Sequence, residues 1–530
     1  MQKSTKYIFI TGGVVSSLGK GIVAASIGLL LKSRGFSIAN QKLDPYLNTD
    51  PGMMSPKEHG EIYLTEDGNT TDLDLGYYER FTGVDTTEHS SYSAGKIYNI
   101  LFREEKKGGK YAGKTVQIIP HLTNEIQEAI IRAGDENTDF VIVEIGGTVG
   151  DIEGLPFLEA LRIFQQRQGR ENTFFIHCAL IPYMKKADEV KTKPAQHSVA
   201  ELRKIGIFPD MLICRIEDRN HFNESICKKL AEFCNIEPSK ILGSFDCDHT
   251  IYEIPILLGN QNIDKIILDY FKIESIRDRD VSEWEQYIGN AKIAEQAKEI
   301  KIALIGKHTI VRDAYKSIEE ALINTGVMLK RNLKVYLINA EDLEKNKNCE
   351  EVLKNADGIL VADADTDGKK GNEGEVAAIK YARENNVPFF GICLGMQMAI
   401  IEFARNVLEI DQHQEKELFN RNTAIRLGTE SCEIKPNTLS EKLYGCAYTK
   451  ERRRRRYEFN SDFKSILEKG GMTFSGVCDI DGGEIIEIIE LKNHPHFIGV
   501  LFHPEFKSRP VKPHPLFVGF AEAAIKKNNG

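Results

Sequence analysis

Two stretches of this chain carry residue types that chemistry needs. Gly391-Ile392-Cys393-Leu394-Gly395 follows the apolar run 387–390 and precedes a helical stretch, 396–406. That is the pattern of a nucleophile elbow with cysteine in place of serine, whose flanking glycines permit the sharp turn that lifts the nucleophile onto a helix N-terminus. The same position favours a thiolate. Downstream, His503-Pro504-Glu505 closes the apolar run 497–503. As a strand end it turns His503 and Glu505 to one side, so Glu505 orients an imidazole that serves as base to Cys393. A lone buried cysteine is ordinarily inert core, but elbow and His-x-Glu together point to a nucleophile.

The second stretch is residues 11–21, Thr-Gly-Gly-Val-Val-Ser-Ser-Leu-Gly-Lys-Gly, between the apolar run 7–10 and a helical segment, 22–32. Glycines there let the backbone approach phosphate oxygens, the helix N-terminus points N–H groups at the anion, and Lys20 adds a compact positive charge. The match to the usual phosphate loop is imperfect, because five residues separate Gly13 from Gly19 and Gly21 stands where a magnesium-binding hydroxyl belongs. We read it as a variant phosphate loop; a plain glycine turn is the alternative. Asp72 and Asp74 lie two residues apart, and with Glu144 they are candidate magnesium ligands near the loop. Taken alone they also suit a solvated loop. Lys42 and Glu144, at apparent strand ends, are placed to face the phosphate loop. Lys191 and Lys193, before Pro194 in a stretch not easily helical, would hold a triphosphate or equally line a surface loop.

These groups need a scaffold. At 530 residues the chain exceeds one core. Apolar runs at 116–120, 140–145, 174–180 and 211–215 alternate with helical stretches and predict a parallel, doubly wound sheet. A second alternation predicts strands at 301–306, 334–339, 358–362, 388–393 and 497–503, hence a second α/β domain. The expected boundaries are 1–270, an ordered connector at 271–298 carrying the only tryptophan, Trp284, and 299–530. A net charge of −9 argues against a general nucleic-acid or membrane surface, and no run approaches eighteen apolar residues. Ten cysteines without a C-x-x-C pair, and a start without a signal-peptide pattern, predict a cytoplasmic protein with free thiols.

Taken together, residues 11–21, 42–46, 72–76, 144–153, 191–197 and 211–215, followed by 391–397 and 503–506, resemble the CTP synthase family. Those enzymes join a P-loop-type synthetase (amidoligase) domain to a class I glutamine amidotransferase domain and aminate UTP to CTP with ATP. The resemblance implies that Ser17, Leu18, Gly19, Lys20, Gly21 and Ile22 hold ATP, with Asp74 also near it. It implies UTP or CTP contacts at Ser16, Asp151, Ile152, Glu153, Lys191, Thr192, Lys193, Pro194, Ala195, Gln196 and Lys229. Lys20 and Lys42 become catalytic cations, and Asp74 and Glu144 become Mg²⁺ ligands. Cys393, His503 and Glu505 form the glutamine-hydrolysing set, with Leu394, Gly395, Met396, Gln397, Glu417 and Arg456 holding glutamine. The family also implies GTP as allosteric activator, CTP as feedback inhibitor and a homotetramer formed from dimers.

Two further expectations concern charge. In the run 452–456 we expect Arg456 to grip the glutamine α-carboxylate and Arg452, Arg453 and Arg454 to form a solvated strand end. Where the family has a Pro-Gly-Gly-Phe-Gly loop supplying an oxyanion N–H, residues 362–372 read Ala-Asp-Ala-Asp-Thr-Asp-Gly-Lys-Lys-Gly-Asn. That substitution predicts slower synthesis from glutamine than from ammonia. It also keeps a second reading open, an ammonia-dependent synthase or nucleotide-gated assembly protein with an impaired amidotransferase half.

Overall fold

The computed structural model describes residues 4–15, 18–363, 370–480 and 483–529. The chain divides into two units, one of Met1–Met53 with Asp74–Ile288 and one of Met54–Leu73 with Gly289–Gly530.

The first unit is built on seven strands, all parallel, in the order Ile241–Ser244, Met211–Arg215, Thr173–Leu180, Lys6–Gly13, Phe140–Ile145, Ile38–Asp44, Ser91–Ser93. Lys6–Gly13 sits at the centre because its side chains Ile8, Phe9 and Ile10 are apolar on both faces and fully buried. Its carboxyl end runs through Gly12 and Gly13 towards the helix Lys20–Ser33, which packs against the helix Asp74–Thr82. Ligand loops of such a sheet gather at the carboxyl ends of the strands, where Lys42 and Glu144 lie. The strands at 140–145 and 211–215 fall where the apolar runs predict them. The run 116–120 does not form a strand. Residues Ile118–Leu122 make a single irregular helical turn with Ile118 and Ile119 about half exposed, since a five-residue apolar run ending in proline fixes no backbone period by itself.

The second unit holds a nine-stranded sheet in the order Asn332–Asn339, Glu299–Gly306, Gly358–Asp363, Phe389–Cys393, Phe497–Val500, Gly483–Leu491, Met472–Ile480, Phe419–Ile434, Tyr448–Phe459. The first five are mutually parallel, as expected of a doubly wound fold, and the last four extend the sheet antiparallel. Residues 54–73 belong to this unit and contribute a two-stranded ribbon, Tyr63–Leu64 with Thr70–Thr71. The ribbon's tip lies close against another backbone: a Cβ on Gly68 would fall 2.6 Å from the nitrogen of Gly428. The run 452–456 lies in the strand Tyr448–Phe459, and the expectation of a solvated end is overturned for Arg452 and Arg453, which are 0% and 1% exposed. Arg453 and the equally buried Arg455 share the carboxylate of Glu487, and Arg452 pairs with Glu66. Buried guanidinium groups persist only when paired in this way.

Candidate functional site

In the first unit the phosphate loop leaves the central strand under tight steric limits. A Cβ on Gly12 would lie 2.7 Å from Cδ of Lys20, and one on Gly13 would overlap Oγ of Ser198 at 1.6 Å, so a side chain at either position would force Lys20 or Ser198 to move. Gly19, at φ 79°, adopts the left-handed conformation that starts the helix Lys20–Ser33. Lys20 folds back and donates from Nζ to the carbonyl of Gly147 at 2.8 Å. Space is tight at Gly21: a Cβ there would meet Oε2 of Glu144 at 3.2 Å and Oδ1 of Asp74 at 3.3 Å. The two carboxylates expected to hold a metal therefore converge on the helix start.

Lys42 stands among three carboxylates. Its Nζ pairs with Asp74 and lies 3.6 Å from Glu144 and 3.7 Å from Asp44. Burial pushes the Glu144 carboxyl above its ordinary value, the nearby Asp74 adds to this, and the charges of Lys42 and Lys20 work against it. The hydroxyl of Tyr78 bonds to Glu144 as well. Among the described residues no cluster of three His, Cys, Asp or Glu could hold a metal by itself; two carboxylates suit Mg²⁺, which keeps waters and takes substrate phosphates as its other ligands.

Beside Leu18, Gly19 and Ile22 opens a pocket of about 410 Å³, walled by Arg215, Phe245, Cys247 and Ile254 among others. Asp151 accepts from the backbone N–H of Thr148, and Ile152 and Glu153 line a separate, largely apolar pocket of about 240 Å³ with Pro45, Tyr98 and Phe157. Lys191 pairs with Glu189, whose carboxyl is held below its ordinary value by Lys191 first and more weakly by Lys229. Lys193 sits over the ring of Phe233 at 5.1 Å, and Gln196 donates to Thr192 Oγ1 at 3.1 Å. The expectation that this stretch avoids helix is corrected. Lys193–Lys204 is helical and begins with Pro194 in its first turn, where proline's missing N–H costs nothing. Ser16 and Ser17 lie outside the described residues.

In the second unit Cys393 takes φ 53° and ψ −105° at the start of the helix Leu394–Asn406. A non-glycine residue at positive φ marks a strained turn of the kind an elbow stores. The glycines around it are sterically required, because a Cβ on Gly395 would overlap the carbonyl oxygen of Val361 at 2.0 Å and one on Gly391 would lie 2.9 Å from the carbonyl of Gly395. Cys393 is buried, with Sγ 3.7 Å from the carbonyl oxygen of Arg454. Leu394, the first residue of the helix, has a backbone N–H with no acceptor within the helix, as an oxyanion donor needs.

His503 and Glu505 do not end a strand as expected. The strand Phe497–Val500 stops earlier, and Glu505 falls in the helical turn Pro504–Lys507. The turn still brings the pair together, with His503 Nδ1 at 2.8 Å from Glu505 Oε1. Burial lowers the imidazole's pKa, but the charges of Glu505 and of the Cys393 sulfur outweigh it and raise the pKa to about 10. Gln397 and Met396 are buried on the helix behind the cysteine, Arg456 is half-buried on the strand Tyr448–Phe459, and Glu417 is exposed beside His413 at 3.7 Å. Residues 364–369, where Asp365, Asp367 and Lys369 fall, lie outside the described residues, so the expectation about that loop rests on its sequence.

Sequence reasoning missed a buried relay under the phosphate loop. Thr11 Oγ1 lies 2.9 Å from His177 Nδ1, and His177 Nε2 lies 2.8 Å from Ser198 Oγ. Burial, and then the charge of Lys20, lower His177 to about 3, so the ring is neutral. It also missed Tyr63 and Glu66, which pack against and pair with the turn after His503. A histidine inside an apolar strand and a tyrosine in a polar loop carry no spacing signal.

A phosphate-loop α/β unit with a lysine–carboxylate cluster, together with an α/β unit bearing a cysteine elbow and a His–Glu pair, defines the class of glutamine-dependent synthetases. The family model for the CTP synthase N-terminus matches residues 6–273, and that for class I glutamine amidotransferases matches 310–523. The CTP synthase of Fibrobacter succinogenes is 49% identical over 100% of this chain and 95% of its own, and that of Geobacillus kaustophilus is 47% identical over 99% and 100%. Among solved structures, the glutaminase domain of Trypanosoma brucei CTPS with bound acivicin is similar over 43% of this chain and 94% of its own, at 30% identity and a TM-score of 0.40. The chain belongs to the CTP synthase family.

Proposed function

We propose that this chain converts UTP to CTP with ATP as co-substrate and glutamine as nitrogen donor. The observation that supports it is that one chain holds both the Lys20–Lys42–Asp74–Glu144 cluster and the Cys393–His503–Glu505 set. The proposed functional halves are 1–270 for synthesis and 299–530 for glutamine hydrolysis, joined by 271–298, in line with the matched ranges.

Ser17–Ile22 hold the ATP phosphates, and the pocket walled by Arg215, Phe245 and Ile254 takes the base. The uridine oxygen at C4 is a poor leaving group, so it is first phosphorylated; ammonia then adds at that carbon and phosphate leaves. Lys20 and Lys42 stabilise charge on the transferred group. Asp74 and Glu144 would hold Mg²⁺, which supplies charge neutralisation at the phosphates when bound. Ser16, Asp151–Glu153, Lys191–Gln196 and Lys229 contact UTP, or CTP as feedback inhibitor.

In the second half the Cys393 sulfur attacks the glutamine amide carbon, the oxyanion takes the Leu394 N–H, and protonated His503 gives its proton to the departing ammonia. Water then releases glutamate. Leu394, Gly395, Met396, Gln397, Glu417 and Arg456 hold the glutamine. GTP as activator, a homotetramer formed from dimers and a cytoplasmic setting complete the proposal on the family resemblance; among the described residues no helix is long and apolar enough to cross a membrane. The acidic loop sequence at 362–372 favours the variant reading in which ammonia supports faster synthesis than glutamine. Following the absorbance change of UTP conversion with glutamine and with ammonia tests both: no CTP from either source refutes the function, and equal rates refute the variant.

A further inference from the structure

The turn that carries His503 and Glu505 lies beyond the end of its strand, so the sheet ladder does not hold it. What holds it is a short piece of chain far away in sequence. The ring of Phe506 stacks on the His503 imidazole at 5.4 Å, and Tyr63 packs edge-on against Phe506 at 4.9 Å while its hydroxyl donates to the Phe506 carbonyl at 3.3 Å. From the other side, the backbone N–H of His503 donates to the carbonyl of Arg452 at 2.9 Å. The Arg452 guanidinium, fully buried, is itself bound by residues 63–66: Nε donates to Glu66 at 3.0 Å, and Nη1 donates to the Leu64 carbonyl at 2.9 Å and the Tyr63 hydroxyl at 3.3 Å. Glu66 also faces Lys507 of the turn at 3.6 Å.

The geometry points to Tyr63 and Glu66, acting through Arg452 and Phe506, as positioning residues for the His503–Glu505 pair in glutamine hydrolysis. Their task is to fix the imidazole's plane and its distance from the sulfur, a geometry in which an error of about 1 Å costs on the order of 10²-fold in rate. Glu66 supplies charge to a fully buried guanidinium, so its loss removes a charged partner from a buried cation and loosens the strand that holds His503. The residues that steady this catalytic pair thus come from the segment just before Asp74, outside the stretch matched as an amidotransferase.

The inference rests on the reading that Cys393 hydrolyses glutamine. The test uses the full chain with Glu66→Ala, Glu66→Gln and Tyr63→Phe, measuring glutamate release and ammonia-dependent CTP formation, with Cys393→Ala as control. For Glu66→Ala we expect the glutamine kcat to fall by about 10- to 100-fold, the glutamine KM to stay within about twofold, and ammonia-dependent synthesis to stay at the wild-type rate. Glu66→Gln, which keeps an acceptor for Arg452, recovers most of the rate, and Tyr63→Phe shows a smaller loss of the same kind. A wild-type kcat in Glu66→Ala, a rise in KM in its place, or a parallel loss of ammonia-dependent synthesis overturns the positioning role. Glutamine hydrolysis that survives Cys393→Ala would instead overturn the underlying reading.

Discussion

Beneath the phosphate loop Lys42 is shared among Asp44, Asp74 and Glu144, whereas at the elbow Cys393 is fixed by backbone strain and His503 is held by Glu505 at Nδ1, by the Arg452 carbonyl at its backbone N–H and by the Phe506 ring on its face. The first arrangement is a set of charges with interchangeable partners. A phosphate or a cation entering such a set re-pairs groups already desolvated together, and phosphoryl transfer needs charge placed on arrival of the substrate. The second arrangement cannot exchange partners without losing the turn: a Cβ on Gly395 collides with the Val361 carbonyl, and the His503–Glu505 bond is buried. Acyl transfer needs that rigidity, because nucleophile, acid and oxyanion donor act on one carbon. In the proposed mechanism one chain thus uses adaptable electrostatics for one half-reaction and a preset geometry for the other.

Lys20→Ala breaks the comparison most severely. It should abolish CTP formation from either nitrogen source while leaving glutamate release intact, since in the proposed mechanism Lys20 serves only phosphoryl transfer; equal loss of both activities, assayed side by side, would remove that assignment. Gly395→Ala attacks the preset site. Its Cβ would overlap the Val361 carbonyl at 2.0 Å, so the elbow and the Leu394 N–H must shift, and glutaminase should fall by about 10²–10³-fold, the worth of one oxyanion donor. Retention of more than about a tenth of the rate would show an elbow with room to spare.

Glu505→Gln tests the electrostatics of the same site. The imidazole sits at about 10 against an ordinary 6.5, so its favourable pairing is fully present below pH 6.5 and is lost as pH rises through 10. Without the carboxylate, only the Cys393 sulfur remains to offset burial, and the ring gives up its proton at lower pH. The alkaline limb of glutaminase should move down by about 1–3 pH units, with kcat reduced by about 10²-fold; a limb that stays in place would mean Glu505 is not what raises His503. The smallest expected effect is in Arg456→Lys, which loses bidentate recognition and should raise the glutamine KM by about tenfold without changing the KM for ammonia. An unchanged glutamine KM takes Arg456 out of the site.

The same contrast explains what the sequence made legible. Cys393 and its glycines could be read because the elbow is local: five consecutive residues contain both the strain and the space it requires. Lys42 and Glu144 could be read from strand ends, since a parallel sheet puts its ligands there. His503 and Glu505 were found by spacing, but for an inexact reason; a helical turn, not strand alternation, brings them together. The burial of Arg452 and Arg453 was not legible, because it depends on Glu66 and Glu487, 386 and 34 residues away. Tyr63 and Glu66 were invisible for the same cause, as nothing in a polar stretch announces which distant turn it will support. The antiparallel extension of the second sheet escaped notice because Phe419–Ile434 and Tyr448–Phe459 are rich in charged residues and the isoleucines of Gly483–Leu491 recur at helical rather than alternate spacing.

The central claim is that two separate sites, one for amination and one for ammonia release, operate in this chain. Cys393→Ala tests it directly when CTP formation is followed with saturating UTP and ATP, once with glutamine and once with ammonia. The account predicts no CTP from glutamine and a wild-type rate from ammonia; loss of the ammonia-dependent reaction as well would contradict it.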